Sequence, residues 1–249
     1  MKSLVVANWK MHPATYAEAK KLFDATKKAA ESYQQLSLVV APPALFLREL
    51  TKGYRGKISF ATQGAQAEDT GAHTGEHSLA QMKQARCSHV IIGHAERRAR
   101  GETDAHIAAQ VARALELGMT PILCVGEQTR TTDGAHFAFV REQLRLALVN
   151  IKAPQLKKII IAYEPVWAIG APTPMSPHDM HEMSIFIRKS IVTQHGPAAM
   201  DIRILYGGAV DETNAETMLR DGDVYGFLVG RASVDAIRFS KLIHTLGDI

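Results

Sequence analysis

The stretch that decides the fold spans residues 159–170, IIIAYEPVWAIG, and joins a fully apolar run to a polar strand end. Its first four residues predict a short strand that is buried on both faces. Glu164 follows where this strand ends, and Pro165 stops further pairing. A carboxylate at such a position is placed to contact a substrate rather than to pack in a core. Trp167 and the apolar residues after it favour a lid that encloses Glu164 and excludes water.

The remainder of the chain repeats the same pattern of an apolar run followed by a helical pattern. The other predicted strands are 4–7, 38–41, 58–62, 89–93, 121–125, 202–205 and 227–229. Helices are predicted over 15–34, 45–50, 79–85, 103–116, 135–150, 177–194 and 213–220, with a last helix through Leu246. Such alternation implies a parallel sheet, since each crossover between parallel strands needs a helix. Eight units predict an α/β protein with one (β/α)₈ barrel domain over residues 1–249. A doubly wound open sheet is the alternative, but no glycine-patterned turn follows the first strand.

The composition restricts the class of partner. The formal net charge is +4 and the sequence pI is about 9.0, which suits a small anionic substrate. No cluster of Lys and Arg interleaved with aromatic residues indicates a nucleic-acid surface. Cys87 and Cys124 have no CxxC spacing, so a reducing compartment is expected. Too few apolar residues precede Asn8 for a signal peptide, and no run approaches a membrane span. We therefore expect a cytoplasmic protein.

Candidate site residues follow three different predicted strands. Asn8 and Lys10 come after the first strand, His94 after the fourth and Glu164 after the sixth. The carboxyl ends of barrel strands converge on one face, where barrel enzymes have their active sites. A fixed ammonium at Lys10 would attract an anion, and Glu164 is the expected general base. His94 lies before a short helical pattern, whose N-terminus favours a neutral ring that can donate a hydrogen bond.

Glycines after the last three strands predict an anion-binding site. Gly170, the pair Gly207–Gly208 and Gly230 follow strands six, seven and eight. Glycine lets backbone amides approach a ligand closely, and barrel phosphate sites often lie after strands seven and eight. By contrast, His178 and His181 are expected on a solvated helix face rather than at a metal.

Seven motifs taken together resemble the triosephosphate isomerase family over essentially the whole chain. They are ANWKM around Asn8 and Lys10, TGEHS at 74–78, IIGHAERR at 91–98, CVGE at 124–127, AYEPVWAIG at 162–170, YGGAV at 206–210 and GFLVGRAS at 226–233. The resemblance implies interconversion of dihydroxyacetone phosphate and D-glyceraldehyde 3-phosphate in glycolysis and gluconeogenesis. It also implies that no metal or organic cofactor takes part.

The resemblance carries roles to individual residues. It implies that Glu164 removes a carbon-bound proton, that His94 stabilises the enediolate, and that Lys10 and Asn8 bind the substrate. It implies phosphate contacts from the backbone amides of Gly170, Ala209, Gly230 and Arg231. Glu96 is similar to the acid that pairs with the lysine after strand one. The Thr74-Gly75-Glu76 loop resembles the segment that docks into a second subunit, which implies a homodimer.

The chain departs from the family pattern around the phosphate site. Ala95 and Ala209 stand where the family has serines, Arg231 replaces a glycine, and residues 171–174 read APTP in the lid. The guanidinium of Arg231 can turn inward to the phosphate or outward to solvent. Relatives that isomerise a four-carbon ketose phosphate resemble this chain in carrying that arginine, so a tetrulose phosphate is the alternative substrate. A sugar-phosphate binder without catalysis is less compatible with Glu164 and His94.

Overall fold

Eight parallel strands form a closed barrel in the computed structural model, which describes residues 3–169 and 174–249. The strands are β1 (Ser3–Asn8), β2 (Leu36–Ala41), β3 (Ser59–Thr62), β4 (His89–Ile92), β5 (Thr120–Val125), β6 (Ile160–Tyr163), β7 (Arg203–Tyr206) and β8 (Gly226–Val229). Each strand pairs with its neighbour in sequence, and β1 closes the barrel by pairing with β8, with Leu4 opposite Gly226. The predicted (β/α)₈ fold is confirmed.

Helices surround the barrel and connect its strands. They are α1 (Tyr16–Ala30), α2 (Ala44–Thr51), α3 (Leu79–Gln84), α4 (Ala95–Arg98), α5 (Asp104–Glu116), α6 (Ala135–Ala147), α7 (Pro177–His195), α8 (Ala215–Asp221) and α9 (Ala236–Gly247). Short 3₁₀ helices cover Ala153–Lys158, Val166–Ala168, Pro197–Ala199 and Arg231–Val234. Within the described part of the chain, the helices are all too short or too polar to cross a membrane.

Strand β6, which Glu164 follows, lies between two layers of the hydrophobic core, one inside the barrel and one between the barrel and the helices. Ile160 and Ala162 belong to the cluster that fills the barrel, whereas Ile161 and Tyr163 pack against the surrounding helices. All four side chains are fully buried. Successive side chains of a strand point to opposite faces, so a strand between these layers must be apolar throughout. The unbroken apolar run in the sequence is the result of this burial.

Helix boundaries differ from the predicted ones by a few residues. Thr15 caps α1 as expected, and its hydroxyl and Glu18 form a capping box. The helix ends at Ala30 rather than near residue 34, because Tyr33 leaves the helix to contact α9. Its hydroxyl lies 2.8 Å from Nδ1 of His244, and the two rings meet edge to face. The predicted site residue Gly170 and residues 171–173 of the predicted lid lie outside the described residues.

Candidate active site

The polar residues at the carboxyl ends of the strands line one cavity of about 340 Å³. Asn8 is the last residue of β1, His94 and Glu164 follow β4 and β6, and glycines follow β7 and β8. The lining includes seven of the predicted residues: Asn8, Lys10, His94, Glu164, Ala209, Gly230 and Arg231. Residues from distant parts of the sequence therefore meet in one site, as the barrel topology predicts.

Glu164 is buried, with only 2% of its surface exposed. Its Oε1 lies 3.1 Å from Nε2 of His94, and its Oε2 accepts a hydrogen bond from the amide of Ala95 at 3.0 Å. Gly207 makes this position possible, since a Cβ at residue 207 would lie 2.8 Å from Cγ of Glu164. The carboxylate is thus held at the start of α4 by one backbone donor and one imidazole.

His94 caps the first turn of α4. Its Nδ1 accepts a hydrogen bond from the amide of Glu96 at 3.2 Å, so this nitrogen carries no proton. The ring proton is consequently on Nε2, the nitrogen that faces Glu164. With its proton on Nε2, the ring can donate a hydrogen bond on the side that faces Glu164. The α4 backbone selects the tautomer.

Lys10 has a left-handed backbone, with φ of 53°, which is unfavourable for a residue with a long side chain. Two side chains hold it there. Its amide donates to Oδ1 of Asn8 at 3.0 Å, and its carbonyl accepts from Nε2 of Gln63 at 2.7 Å. Because Oδ1 of Asn8 is engaged in this way, the Asn8 amide group is left to donate toward the cavity. Gln63 comes directly after β3, at the same face of the barrel as Lys10.

The ammonium of Lys10 pairs with Glu96 at the edge of the cavity, with Nζ 2.5 Å from Oε1. Partial burial of Glu96 opposes its ionisation, but the hydrogen bond and charge of Lys10 outweigh this effect and lower the pKa of Glu96. Gly230 adjoins the lysine, and a Cβ there would lie 3.2 Å from Cε of Lys10. The predicted Lys10–Glu96 contact is present.

The 3₁₀ helix after β8 links the carboxyl ends of the first and last strands of the barrel. The buried hydroxyl of Ser233 donates to the carbonyl of Gly230 at 2.7 Å and lies 3.2 Å from the carbonyl of Asn8. Arg231 begins this helix and is exposed. Its guanidinium forms neither an ion pair nor a hydrogen bond within residues 3–169 and 174–249. Arg231 is also among the residues that line the active-site cavity.

Trp167 contacts a different carboxylate in this structure. Its indole N–H donates to Oε1 of Glu127 at 2.7 Å, while Glu164 is enclosed by His94, Ala95 and Gly207. Glu127 is buried and also accepts a hydrogen bond from the hydroxyl of Tyr163. Burial, followed by the charge of Glu127, raises the pKa of Tyr163 well above its usual value. The CVGE motif contains Glu127, but nothing local to that motif indicates these two distant donors.

A buried carboxylate, an imidazole with its proton toward the carboxylate, and an ammonium share this cavity. Such a set can remove a proton, donate a hydrogen bond to an oxygen and neutralise an anion. The fold and the site therefore define a barrel enzyme of the acid–base class.

Comparisons with known proteins give the family. The family model described as "Triosephosphate isomerase" matches residues 3–246. A protein named triosephosphate isomerase from Aquifex aeolicus is 37% identical over 248 residues, which are 98% of this chain and 100% of that protein. Proteins of the same name from Mycobacterium bovis and Coxiella burnetii are 38% and 36% identical, over 97% and 96% of this chain and 95% of each relative. The chain belongs to the triosephosphate isomerase family.

Proposed function

We propose that this protein interconverts dihydroxyacetone phosphate and D-glyceraldehyde 3-phosphate. The observation that carries the proposal is the contact between Glu164 and Nε2 of His94 in a cavity that also contains Lys10. Membership of the triosephosphate isomerase family supports the same reaction. The reaction needs a base for a C–H proton, a donor for the carbonyl oxygen and a cation for the developing negative charge, and Glu164, His94 and Lys10 are the candidates for these roles.

The reaction proceeds by two proton transfers between neighbouring carbons. Glu164 takes a proton from the carbon beside the carbonyl, and the C–H electron pair forms a carbon–carbon double bond as the carbonyl electrons move to oxygen. The N–H of His94 and the ammonium of Lys10 stabilise the resulting enediolate. Glu164, now protonated, returns a proton to the former carbonyl carbon. The hydroxyl on the other carbon becomes the new carbonyl as its proton passes to the former carbonyl oxygen, which becomes the product hydroxyl. Asn8 and the backbone at Gly170, Ala209, Gly230 and Arg231 bind the substrate.

Glu164 must move before it can act. At 3.1 Å, the gap between Glu164 and His94 has no space for a substrate oxygen. The carboxylate therefore leaves the amide of Ala95 and turns into the cavity when substrate enters. His94 does not need to move, because the backbone of α4 holds its ring. Substrate binding thus separates the base from the donor and places the reacting carbons between them.

The test is a comparison of kcat/KM for dihydroxyacetone phosphate, glyceraldehyde 3-phosphate and a tetrulose phosphate under the same conditions. We expect turnover of both triose phosphates and a lower kcat/KM for the tetrulose phosphate. The Glu164→Gln variant, purified in the same way, controls for a contaminating enzyme, because a contaminant would give the same turnover in both preparations. If neither triose phosphate is turned over by the purified protein, the proposal is overturned.

The tetrulose phosphate remains the second candidate because of Arg231. Its exposed guanidinium lies at the cavity lining, where the family pattern has a glycine. A cation at the mouth could contact an additional hydroxyl of a longer sugar. The comparison above discriminates the two substrates, since a preference for the four-carbon ketose would reverse the order of the two kcat/KM values.

We also infer a homodimer through the Thr74-Gly75-Glu76 loop. Residues 71–76 are exposed, and the loop is held at its base where Gln66 pairs with residues at the start of α3. The amide of Gln66 donates to the carbonyl of His77 at 2.8 Å, and its carbonyl accepts from Leu79 at 2.9 Å. A loop fixed at its base and exposed at its tip can insert into a second subunit.

Sedimentation equilibrium tests the dimer. Thr74→Arg should shift the wild-type dimer toward monomer, because a long cation at the tip would not fit a closed interface. Thr132→Arg, at another exposed threonine, is the matched control and should leave the dimer intact. A wild-type protein that sediments as a monomer at micromolar concentration would contradict the inference.

The cytoplasmic location is likewise a proposal, supported by the buried, unpaired cysteines Cys87 and Cys124.

A further inference from the structure

A second cavity, of about 710 Å³, lies on the outside of the barrel between α6 and α7. Its main lining residues are Phe137, Arg141 and Leu144 of α6 and Phe186, Lys189 and Ser190 of α7; we call it the α6–α7 groove. None of the residues that line it belongs to the active-site cavity. Its volume falls within the range typical of small-molecule sites.

The floor of the groove is apolar and aromatic. The rings of Phe137 and Phe186 meet with their centroids 4.7 Å apart and their planes tilted by 54°. Leu144 is fully buried beneath them, with 1% of its surface exposed. The two phenylalanines are only half buried, so an aromatic surface remains accessible. A flat apolar body could stack on this surface and bury it.

The rim of the groove is cationic. The guanidinium of Arg141 lies 5.4 Å from the ring centroid of Phe186, and Lys189 lies on the facing helix. Neither forms an ion pair with any residue in 3–169 or 174–249. Arg145 also lines the groove, but Glu142 binds it through two hydrogen bonds of 2.8 and 2.6 Å. No acidic residue lines the groove, so its charge is complementary to an anion.

We propose that the α6–α7 groove is a binding site for a small amphipathic anion, with an apolar aromatic body and one carboxylate, sulfonate or phosphate group. The body stacks on Phe137 and Phe186, and the anionic group lies between Arg141 and Lys189. The lining spans residues 137 to 145 of α6, about 12 Å at 1.5 Å per residue, which matches a molecule of two or three rings. The site is independent of the isomerase reaction.

The experiment titrates the full-length protein with 1-anilinonaphthalene-8-sulfonate, followed by fluorescence and by calorimetry for stoichiometry. The neutral analogue N-phenyl-1-naphthylamine is titrated in parallel. We expect one saturable site per chain and weaker binding of the neutral compound. Lys189→Glu and Arg141→Glu should each weaken sulfonate binding by about tenfold, as expected from the loss of one charge-assisted contact. Lys241→Glu, at an exposed lysine on α9, is the matched control and should bind as the wild type does.

Two further measurements test whether the sulfonate binds in the α6–α7 groove. Ser190→Trp should fill the groove and abolish binding of both compounds, while circular dichroism and triose phosphate turnover report that the variant has folded. Sulfonate at a saturating concentration should leave triose phosphate turnover unchanged, since its site shares no lining residue with the active-site cavity. Binding that survives all three groove variants, that occurs at several sites, or that inhibits turnover by competing with the triose phosphate would overturn the proposal. So would an absence of saturable binding at millimolar sulfonate.

Discussion

The amide of Ala95 donates a hydrogen bond to Oε2 of Glu164 at 3.0 Å, and this bond joins loops that follow β4 and β6. The donor is a backbone group, so the side chain at position 95 does not decide whether the bond forms. The serine of the family pattern is therefore not needed to hold the carboxylate in this position. Two neighbouring features, the imidazole of His94 and the missing Cβ of Gly207, complete the enclosure.

Replacement of the proposed base should abolish most turnover. Glu164→Gln preserves the shape of the side chain and removes its basicity, so kcat should fall by well over the ~100-fold typical of one general base. Binding of a phosphate-bearing enediolate mimic should decrease much less, because its other contacts remain. Steady-state kinetics and calorimetry measure the two effects, and Glu216→Gln at an exposed site is the control. A variant with a tenth of wild-type activity would exclude Glu164 as the base.

Gly207→Ala tests whether the position of Glu164 matters. The new Cβ would lie 2.8 Å from Cγ of Glu164 and 3.2 Å from the carbonyl of Tyr163, so the carboxylate must shift. We expect kcat to fall by about 100-fold, because crowding of the Tyr163 carbonyl displaces the backbone from which Glu164 turns into the cavity, and misplacing a catalytic group by roughly 1 Å has about this cost. Inorganic phosphate binding should be retained, which distinguishes a displaced base from an unfolded protein. Unchanged kcat would mean that Glu164 acts from a position that residue 207 does not restrict.

The sequence is sufficient to predict the fold and the meeting of the polar strand ends in one cavity, for a physical reason. Buried parallel strands must be apolar, so runs such as residues 159–162 identify them, and barrel closure then brings their polar ends together. The contacts that orient the site are different. Gln63 reaches the carbonyl of Lys10 across 53 residues, and Trp167 reaches Glu127 across 40. Such contacts depend on how loops from separate strands meet, and no local pattern encodes them.

His89 should make the protein less stable in mild acid. Burial, followed by the charge of Arg203, lowers the pKa of His89 to about 4, and its Nδ1 lies 2.8 Å from the hydroxyl of Ser88. The unfolded chain binds a proton at His89 below about pH 6.5, whereas the folded protein resists protonation until about pH 4. The contribution of neutral His89 to the free energy of unfolding is therefore fully present above about pH 6.5, and it is lost progressively as the pH falls toward about 4.

The measurement compares urea unfolding at pH 7.5 and pH 5 for the wild type and His89→Gln. From pH 7.5 to pH 5, the free energy of unfolding of the wild type should decrease by about 2 kcal/mol more than that of the variant. Proton linkage predicts this difference from the pKa shift of His89. His178→Gln, at a side chain that is 92% exposed, should retain the wild-type difference. An equal loss in the wild type and in His89→Gln would refute the assignment.

Arg231→Gly tests what the exposed cation at the cavity contributes. An exposed guanidinium attracts anions through a field that salt screens over about 10 Å at 0.1 M. We therefore expect KM for the triose phosphate to rise by about two- to threefold at low salt, with the effect lost at physiological ionic strength. The value of kcat should not change, because Arg231 contacts neither Glu164 nor His94 in this structure. Steady-state kinetics at several salt concentrations measure both parameters. A KM increase of ~10-fold or more that persists in salt would instead mean that the guanidinium turns inward and binds the phosphate directly.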